Sequence, residues 1–308
     1  MNFALSSDQQ ALLDGLAPIL ARHQEMPREG RLSRHYYDHG LDQALADGGF
    51  LDIASVEEFS PLEAALVVDA IGTLPSVVEA ATTLLVAPKV LPSGFPRPVT
   101  LISGPLHFPQ RYLPVAKIAL YQFEGDLLAI EVDPDNVELA DSIFAYPYGR
   151  FRQLPDLDKA TRLGPDKIPI LQQWWRVALA VEAGRAMEQA VNFTVDYVRE
   201  RHLFGRALGS FQTVQHRLAE GHQYARGARY LALRAAWSSD PVDAATAATY
   251  AQIHIDQTRF DTHQFNGGMG ISNEHLLHFW TYRMRALESE MGGPGGNAVA
   301  VSRLAFAA

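Results

Sequence analysis

One segment in the second half of the chain carries residue types that can hold a phosphorylated cofactor. Arg201 and Phe204 stand just ahead of Gly205, and Gln212 follows at the start of the next helical pattern. A guanidinium can donate two parallel hydrogen bonds to a phosphate, and a phenyl ring offers a flat apolar face. A simpler interpretation also fits: Arg201 pairs with Glu200, and Phe204 fills the core.

A second segment lies downstream, where Gln264 is followed by Gly267, Gly268 and Gly270. Glycine has no Cβ, so the backbone here can approach a phosphate or a ribose closely. The side-chain amide of Gln264 can both donate and accept hydrogen bonds. The competing interpretation is a helix C-cap followed by a loop.

Four helical patterns position these two segments. The first segment joins the first two patterns, with turns at Gly205 and Gly209, and the second segment follows the third pattern. Gly292–Gly296 ends the fourth pattern. Four consecutive amphipathic helices predict a bundle, and the patterns run over about 170–200, 210–237, 242–266 and 272–291.

The sequence pattern of the first half of the chain predicts helices followed by a small β region. Ser7 is expected to cap one helix and Pro61 to open another. Strand candidates follow at 117–124, 127–132 and 137–140. We therefore predict a mainly α protein with an N-terminal helical domain, a truncated middle β domain and a C-terminal four-helix bundle, at 1–97, 98–164 and 165–308.

The two segments resemble motifs of the acyl-CoA dehydrogenase family over about residues 165–308. The first is similar to the family's R-x-x-F-G-x-x-(I/L)-x-x-F-Q joint, and the second is a Gln-x-x-Gly-Gly-x-Gly stretch at the right distance downstream. The order of helices, β region and bundle is also the family's order. In that family the joint touches the FAD of a neighbouring subunit. The resemblance therefore implies FAD as cofactor, with these cofactor-binding residues: Arg201, Phe204, Gln212, Gln264, Gly267 and Gly268.

The chain departs from the family where the catalytic base is expected. Removing a proton α to a thioester needs a carboxylate in an apolar cleft, with its pKa raised toward neutrality. The family's two positions for this glutamate correspond to Trp175 and Gly292, and neither side chain can abstract a proton. Glu288 and Glu290 are weak substitutes within one turn of Gly292, on a helix end expected to face solvent.

Composition and charge argue against several classes of partner and binding site. The net charge of −9 argues against nucleic acid as a partner, and the absence of cysteine excludes disulfides and thiolate metal sites. His275 and His278 have only Glu274 nearby as a third metal ligand, so we predict no metal site. No apolar run is long enough to span a bilayer, and no signal pattern opens the chain, so a cytoplasmic location is expected.

The family's T-E-P-x-A-G-S-D-type stretch, which lies beside the isoalloxazine and the thioester, is missing from this chain. The resemblance therefore implies the shorter subunit of a heteromeric enzyme of the sterol side-chain degradation type. The expected partners are a full-length acyl-CoA dehydrogenase subunit in a heterodimer or heterotetramer, an acyl-CoA substrate and an electron-transfer flavoprotein. Two alternatives stay open: an active homo-oligomer that uses Glu288 or Glu290 as base, and a flavin-free interaction subunit.

Overall fold

A computed structural model describes residues 4–272 and 274–306, and the chain forms two compact units. One unit ends at Ala178 and the other begins at Leu179. The three-domain division at 1–97, 98–164 and 165–308 stays a prediction. Positions 1–3 and 307–308 of the expected terminal domains, and position 273 of the expected fourth bundle helix, lie outside the described residues.

The first unit opens with short helices whose starts are fixed by side-chain caps. The Ser6 hydroxyl accepts from the Gln9 backbone N–H, and the Gln9 side chain accepts from Ser6 in return. The cap is therefore Ser6 and not Ser7, because Ser6 is the last residue with extended backbone angles. A second helix begins at Pro61, as predicted, and the Ser60 side chain caps it. The helices are α1 Ser7–Arg22, α2 Arg28–Leu32, α3 His39–Asp47, α4 Pro61–Ile71 and α5 Ala87–Val90, with a π-helical turn at Thr82–Val86.

The β region contains two small sheets. The strands are β1 Val99–Leu101, β2 Gln110–Arg111, β3 Ile118–Phe123, β4 Asp126–Glu131, β5 Val137–Leu139, β6 Tyr148–Phe151 and β7 Thr161–Arg162. The three predicted strands correspond to β3, β4 and β5, while the other strands have only two to four residues and show no clear period. In the four-stranded sheet, of order β1-β3-β4-β7, only the β1–β3 pair is parallel; the other sheet, of order β2-β6-β5, is antiparallel.

The second unit is helical, and the predicted mainly α fold with a small β region is confirmed. Gly184 and the backbone of Arg229 approach so closely that a Cβ at position 184 would lie 2.9 Å from the Arg229 nitrogen. Helices packed this tightly need small residues in their contact. The long helices are α6 Lys167–Glu200, which spans the boundary between the two units, α7 Gln212–Ser238, α8 Pro241–Asn266, α9 Leu277–Glu288 and α10 Gly293–Phe306.

The fourth predicted helix ends before the glycine run, as expected, but a further helix, α10, follows that run. Gly292 and Gly293 have positive φ and make a turn, after which the chain is helical again. Gly296 lies in the first turn of α10, where a Cβ would come 2.7 Å from the Met291 carbonyl oxygen. Among the helices that the structure describes, none combines the length and apolar character needed to cross a bilayer.

Candidate functional site

The joint between α6 and α7 is a tight β-hairpin. Strand β8 (His202–Leu203) pairs with β9 (Arg206–Ala207) in antiparallel register. The two turn residues, Phe204 and Gly205, have φ values of 55° and 80°. Left-handed angles at both positions match the twist of the flanking strands, but they strain a phenylalanine by roughly 1–3 kcal/mol. Strain of this kind is typical of functional positions.

Phe204 projects from the tip of this hairpin. Its side chain is 90% exposed, so the alternative in which it fills the core of this chain is wrong. Its ring meets Phe211 edge-to-face with centroids 6.2 Å apart, and the Arg206 guanidinium lies 3.9 Å from the Phe211 centroid. The hairpin therefore exposes the ring of Phe204 at its tip, while Phe211 packs against that ring.

Arg201 is held by its backbone and has an exposed side chain. Its N–H donates to the Tyr197 carbonyl, and its carbonyl accepts from Leu208 N–H at 2.7 Å. Within the described residues the guanidinium makes no ion pair, so the expected alternative of a pair with Glu200 is not found. A cation at a fixed backbone position without an acidic partner is suited to an anionic ligand.

Gln212 is the first residue of α7, and its side chain is exposed. Its amide nitrogen lies 3.5 Å from His216 Nε2, which is at the limit of a hydrogen bond. The neighbouring Gln215 donates from its amide to the Gly209 carbonyl at 2.9 Å. Gln215 therefore braces the joint, while Gln212 keeps its amide at the surface.

The second segment ends α8. Gly267 is the C-cap residue, with a φ of 57°, so the capping interpretation is correct, and it does not exclude ligand binding. A Cβ at Gly267 or Gly268 would meet no atom within 4 Å, which leaves both backbones open to close approach. Gly270 differs, because a Cβ there would lie 2.9 Å from the Cβ of Asn266.

The two segments lie at the same end of the helical unit. Phe211 of the joint and Phe265 of the second segment pack against one buried cluster that contains Val198 and Leu218. Asn266 Nδ2 donates to the hydroxyl of Thr194 on α6 at 2.8 Å. Both motifs were recognised from the sequence alone. The fold brings Phe211 and Phe265, which belong to these segments, to one cluster.

A groove of about 660 Å³ beside Gln264 adds residues that sequence reasoning missed. Arg259 Nε and His263 Nδ1 are fully buried and have no hydrogen-bond partner among the described residues. Burial, and then the positive charge of Arg259, lower the pKa of His263. One feature of the sequence indicated that residues near Gln264 share a surface with it: Phe260 stands four residues before Gln264, so the two lie on the same face of the helix. The lining residues are Asp256, Gln257, Arg259, Phe260, His263, Gln264, Gly267 and Ile271.

The two weak base candidates differ in environment. Glu288 accepts from Arg285 Nη1 at 2.6 Å, and its side chain is 16% exposed. Glu290 is only 8% exposed, in a short 3-10 turn. The expectation that both face solvent is therefore wrong, because the chain turns back into α10 and does not end here.

The two positions predicted from the resemblance to correspond to the family's base, Trp175 and Gly292, contain no carboxylate. Trp175 is half-buried in α6, beside Trp174, which is 4% exposed and belongs to the core. Gly292 has a φ of 81°, and a Cβ there would meet nothing within 4 Å. His278 Nδ1 lies 2.6 Å from the carbonyl oxygen of His275, and the structure describes no group of three potential metal ligands.

Comparison with known proteins finds that the chain is similar in sequence to acyl-CoA dehydrogenases. The family model for the C-terminal domain of acyl-CoA dehydrogenases matches residues 173–296. The acyl-CoA dehydrogenase IpdE2 of Mycobacterium tuberculosis is 30% identical over 177 residues, which is 50% of this chain and 55% of the relative. The protein of the same name from Mycolicibacterium smegmatis is 25% identical, over 94% of this chain and 96% of the relative.

Two solved structures are similar along nearly the whole chain. The ChsE4-ChsE5 complex from Mycobacterium tuberculosis has a chain with a TM-score of 0.77 at 20% identity, covering 99% of both chains. A variant of the Tcur3481-Tcur3483 steroid ACAD gives 0.76 at 19% identity, covering 97% of both. Identities this low show a shared fold. The expected acyl-CoA dehydrogenase-like fold is thereby confirmed.

Proposed function

We propose that this chain, whose residues 173–296 match the family model for the C-terminal domain of acyl-CoA dehydrogenases, is the shorter subunit of a heteromeric acyl-CoA dehydrogenase. In this proposal it completes the FAD site of a full-length partner subunit. The complex oxidises an acyl-CoA thioester to its α,β-unsaturated form and passes electrons to an electron-transfer flavoprotein. When bound, FAD supplies the acceptor for the hydride that leaves the β carbon.

One observation carries the proposal: the candidate cofactor side chains are exposed together at one end of the helical unit. Arg201 offers a guanidinium without an acidic partner, and Phe204 offers a ring that is 90% exposed. Gly267 and Gly268 leave their backbones open. This donor set fits the adenosine diphosphate part of FAD, because the pyrophosphate needs charged donors and close backbone approach. Gln212 and Gln264 would orient the same part through their amides.

The role of the partner follows from what this chain lacks. Trp175 and Gly292 occupy the positions of the family's base, so the proposal assigns proton removal from the α carbon to the partner's glutamate. The missing isoalloxazine-side stretch assigns the flavin ring to the partner as well. The likeness to the ChsE4-ChsE5 complex and to a steroid ACAD supports a heteromer that acts on a bulky, steroid-type acyl-CoA.

The test compares the chain alone with the chain produced together with a full-length acyl-CoA dehydrogenase encoded beside it. We expect the isolated chain to be colourless and to give no stoichiometric binding of FAD by calorimetry. The co-purified complex is expected to be yellow and to oxidise acyl-CoA with an artificial electron acceptor. A submicromolar, stoichiometric FAD complex of the isolated chain contradicts the proposal.

The buried position of Glu290 favours one alternative, an active homo-oligomer, because a base needs a site shielded from water. That alternative requires FAD and dehydrogenase activity in the chain without any partner. A complex that forms without flavin and without activity points to the flavin-free interaction subunit. The same pair of preparations therefore separates all three functions.

A further inference from the structure

A cavity of about 560 Å³ lies in the first unit, between the segment that joins α2 to α3 and the β region. Aromatic rings line it on the helical side, and apolar side chains line it on the side of the β region. No step of the proposed function uses this cavity. The rings belong to His35, Tyr36, Tyr37 and His39, and the apolar side chains to Pro114, Val115, Leu139 and Pro147.

The aromatic rings are held in place by their neighbours. Tyr36 is half-buried, and a Cβ at Gly30 would lie 3.1 Å from its ring, so the backbone of α2 fixes the position of the ring. The buried Tyr37 donates from its hydroxyl to Asp42 at 2.9 Å. The exposed His39 ring meets Tyr37 edge-to-face, with centroids 4.9 Å apart. Fixed rings of this kind attract a cation, because the face of an aromatic ring carries partial negative charge.

The electrostatic potential in the cavity is negative. Glu29 is the one lining residue with a permanent charge, and within the described residues its carboxylate makes no ion pair. Burial, and then the charges of Asp38 and Glu29, raise the pKa of the Tyr36 hydroxyl, so the potential reaches the aromatic wall. Asp38 already accepts from the backbone N–H of Leu41 at 2.9 Å. Glu29 therefore keeps its carboxylate for a ligand.

A guanidinium group fits these features better than an ammonium group does. Guanidinium is planar and weakly hydrated, so it stacks on an aromatic ring at a small cost in lost hydration. It also donates two parallel hydrogen bonds to a carboxylate. An ammonium is more strongly hydrated and loses more when it leaves water.

We propose that this cavity binds a guanidinium group, with Glu29 as the counter-charge and the ring of Tyr36 as the stacking surface. The binding is non-covalent and reversible. The guanidinium belongs either to a small compound or to an arginine side chain of another protein. This inference goes beyond the proposed function and does not depend on it, because neither FAD nor an acyl-CoA takes part.

The probe is methylguanidinium, titrated into the full chain at about 150 mM salt, which screens long-range attraction to the net charge of −9. Saturation-transfer NMR from the aromatic protons of the protein to the methyl group measures binding. We expect saturable binding with a Kd on the order of 1 mM, and at least about tenfold weaker binding of methylurea, the neutral isostere. No saturable binding of methylguanidinium up to about 10 mM overturns the proposal, and so does equal binding of methylurea.

The source of the guanidinium is identified with a blocked Gly-Arg-Gly tripeptide. Binding as tight as that of methylguanidinium indicates an arginine of a protein. Binding at least about tenfold weaker indicates a small compound, because the peptide backbone is then excluded from the cavity.

Two variants test the residues that carry the proposal. Glu29→Gln keeps the size of an exposed side chain and is expected to weaken binding of methylguanidinium at least about fivefold. Tyr36→Leu removes the ring and is expected to weaken it at least about threefold, with circular dichroism as the check on folding. Glu25→Gln is the matched control, because Glu25 is exposed nearby and does not line the cavity. Unchanged binding by the Glu29 variant overturns the proposal. An equal loss in the Glu25 variant also overturns it, since net charge and not the cavity would then be the cause.

Discussion

Asn297 donates from its side-chain amide to Oε1 of Gln252 across 2.9 Å, deep inside the helical unit. Gln252 in turn donates to the backbone carbonyls of Leu287 at 2.9 Å and Glu290 at 3.0 Å. Both side chains are at most 1% exposed. The pair therefore connects α8 and α10 to the turn that contains Glu290 and Gly292.

The first prediction concerns this pair. Gln252→Leu removes three buried hydrogen bonds, to the Leu287 and Glu290 carbonyls and from the Asn297 amide, so we expect the free energy of unfolding to fall by about 2–4 kcal/mol. Urea denaturation of the chain, followed by circular dichroism, measures the loss. Gln10→Leu is the control, because Gln10 is exposed and bonds only within α1 to Asp14. A loss below about 1 kcal/mol contradicts the role assigned to Gln252.

The second prediction tests the proposed pyrophosphate contact. Arg201→Ala should weaken retention of FAD by the complex roughly tenfold to a hundredfold without unfolding this chain, since a charged contact to phosphate contributes about 1.5–3 kcal/mol. Flavin content after extensive dialysis measures this. Arg199→Ala is the matched control, because Arg199 is 73% exposed and lies 3.6 Å from Asp196. Equal retention by the Arg201 variant and the wild type would make Arg201 structural.

The third prediction concerns the two glutamates near Gly292. Glu288→Gln and Glu290→Gln should each leave turnover of the complex within a few-fold of wild type, because the proposal assigns the base to the partner. Loss of a true general base lowers the rate by about a hundredfold or more. Steady-state rates with an artificial acceptor are compared at equal flavin content. A hundredfold loss in either variant, with folding intact, would mean that this subunit supplies the base, as the alternative of an active homo-oligomer requires.

The sequence predicted the helices of the second unit well because each is long and strongly periodic. The sequence analysis missed α10, because Gly292, Gly293 and Gly296 are typical of the end of a helix. In the fold the first two make a turn, and the third allows the Met291 carbonyl to approach. Local composition cannot distinguish a helix end from a tight turn between helices, because the distinction depends on what packs beside each glycine.

The candidate site was predictable only where residues form a motif. Arg201 and Gln264 were found by spacing, but the buried, unpartnered atoms of Arg259 and His263 were not. Their lack of partners is a property of the groove, which no sequence period encodes. The burial of Glu290 was missed for the same reason, since it depends on the path of the chain after the turn.

The fourth prediction concerns Glu79, which is 0% exposed in the first unit. Its carboxylate oxygens accept from the backbone N–H of Thr82 at 2.7 Å and the hydroxyl of Thr83 at 2.6 Å. Burial nevertheless raises the pKa of Glu79 above its ordinary value of 4.5. The folded state thus keeps a proton that the unfolded chain loses. Stability from this proton is complete below about pH 4.5 and is lost as pH rises through the folded pKa.

The Glu79→Gln variant has no titratable group at this position, so it does not lose stability in this way as the pH rises. We expect the free energy of unfolding of the wild type, minus that of the variant, to be smaller at about pH 8 than at about pH 5. Urea denaturation at both values measures the difference.

Glu63→Gln is the control of opposite sign: burial raises the pKa of Glu63, but hydrogen bonds from Ser60 and Gln9 outweigh it and lower the pKa. Its contribution is lost only in acid, so its difference should stay nearly constant over this range. A difference for Glu79 that is equal at both pH values, or larger at pH 8, would mean that this buried carboxyl remains charged in the fold.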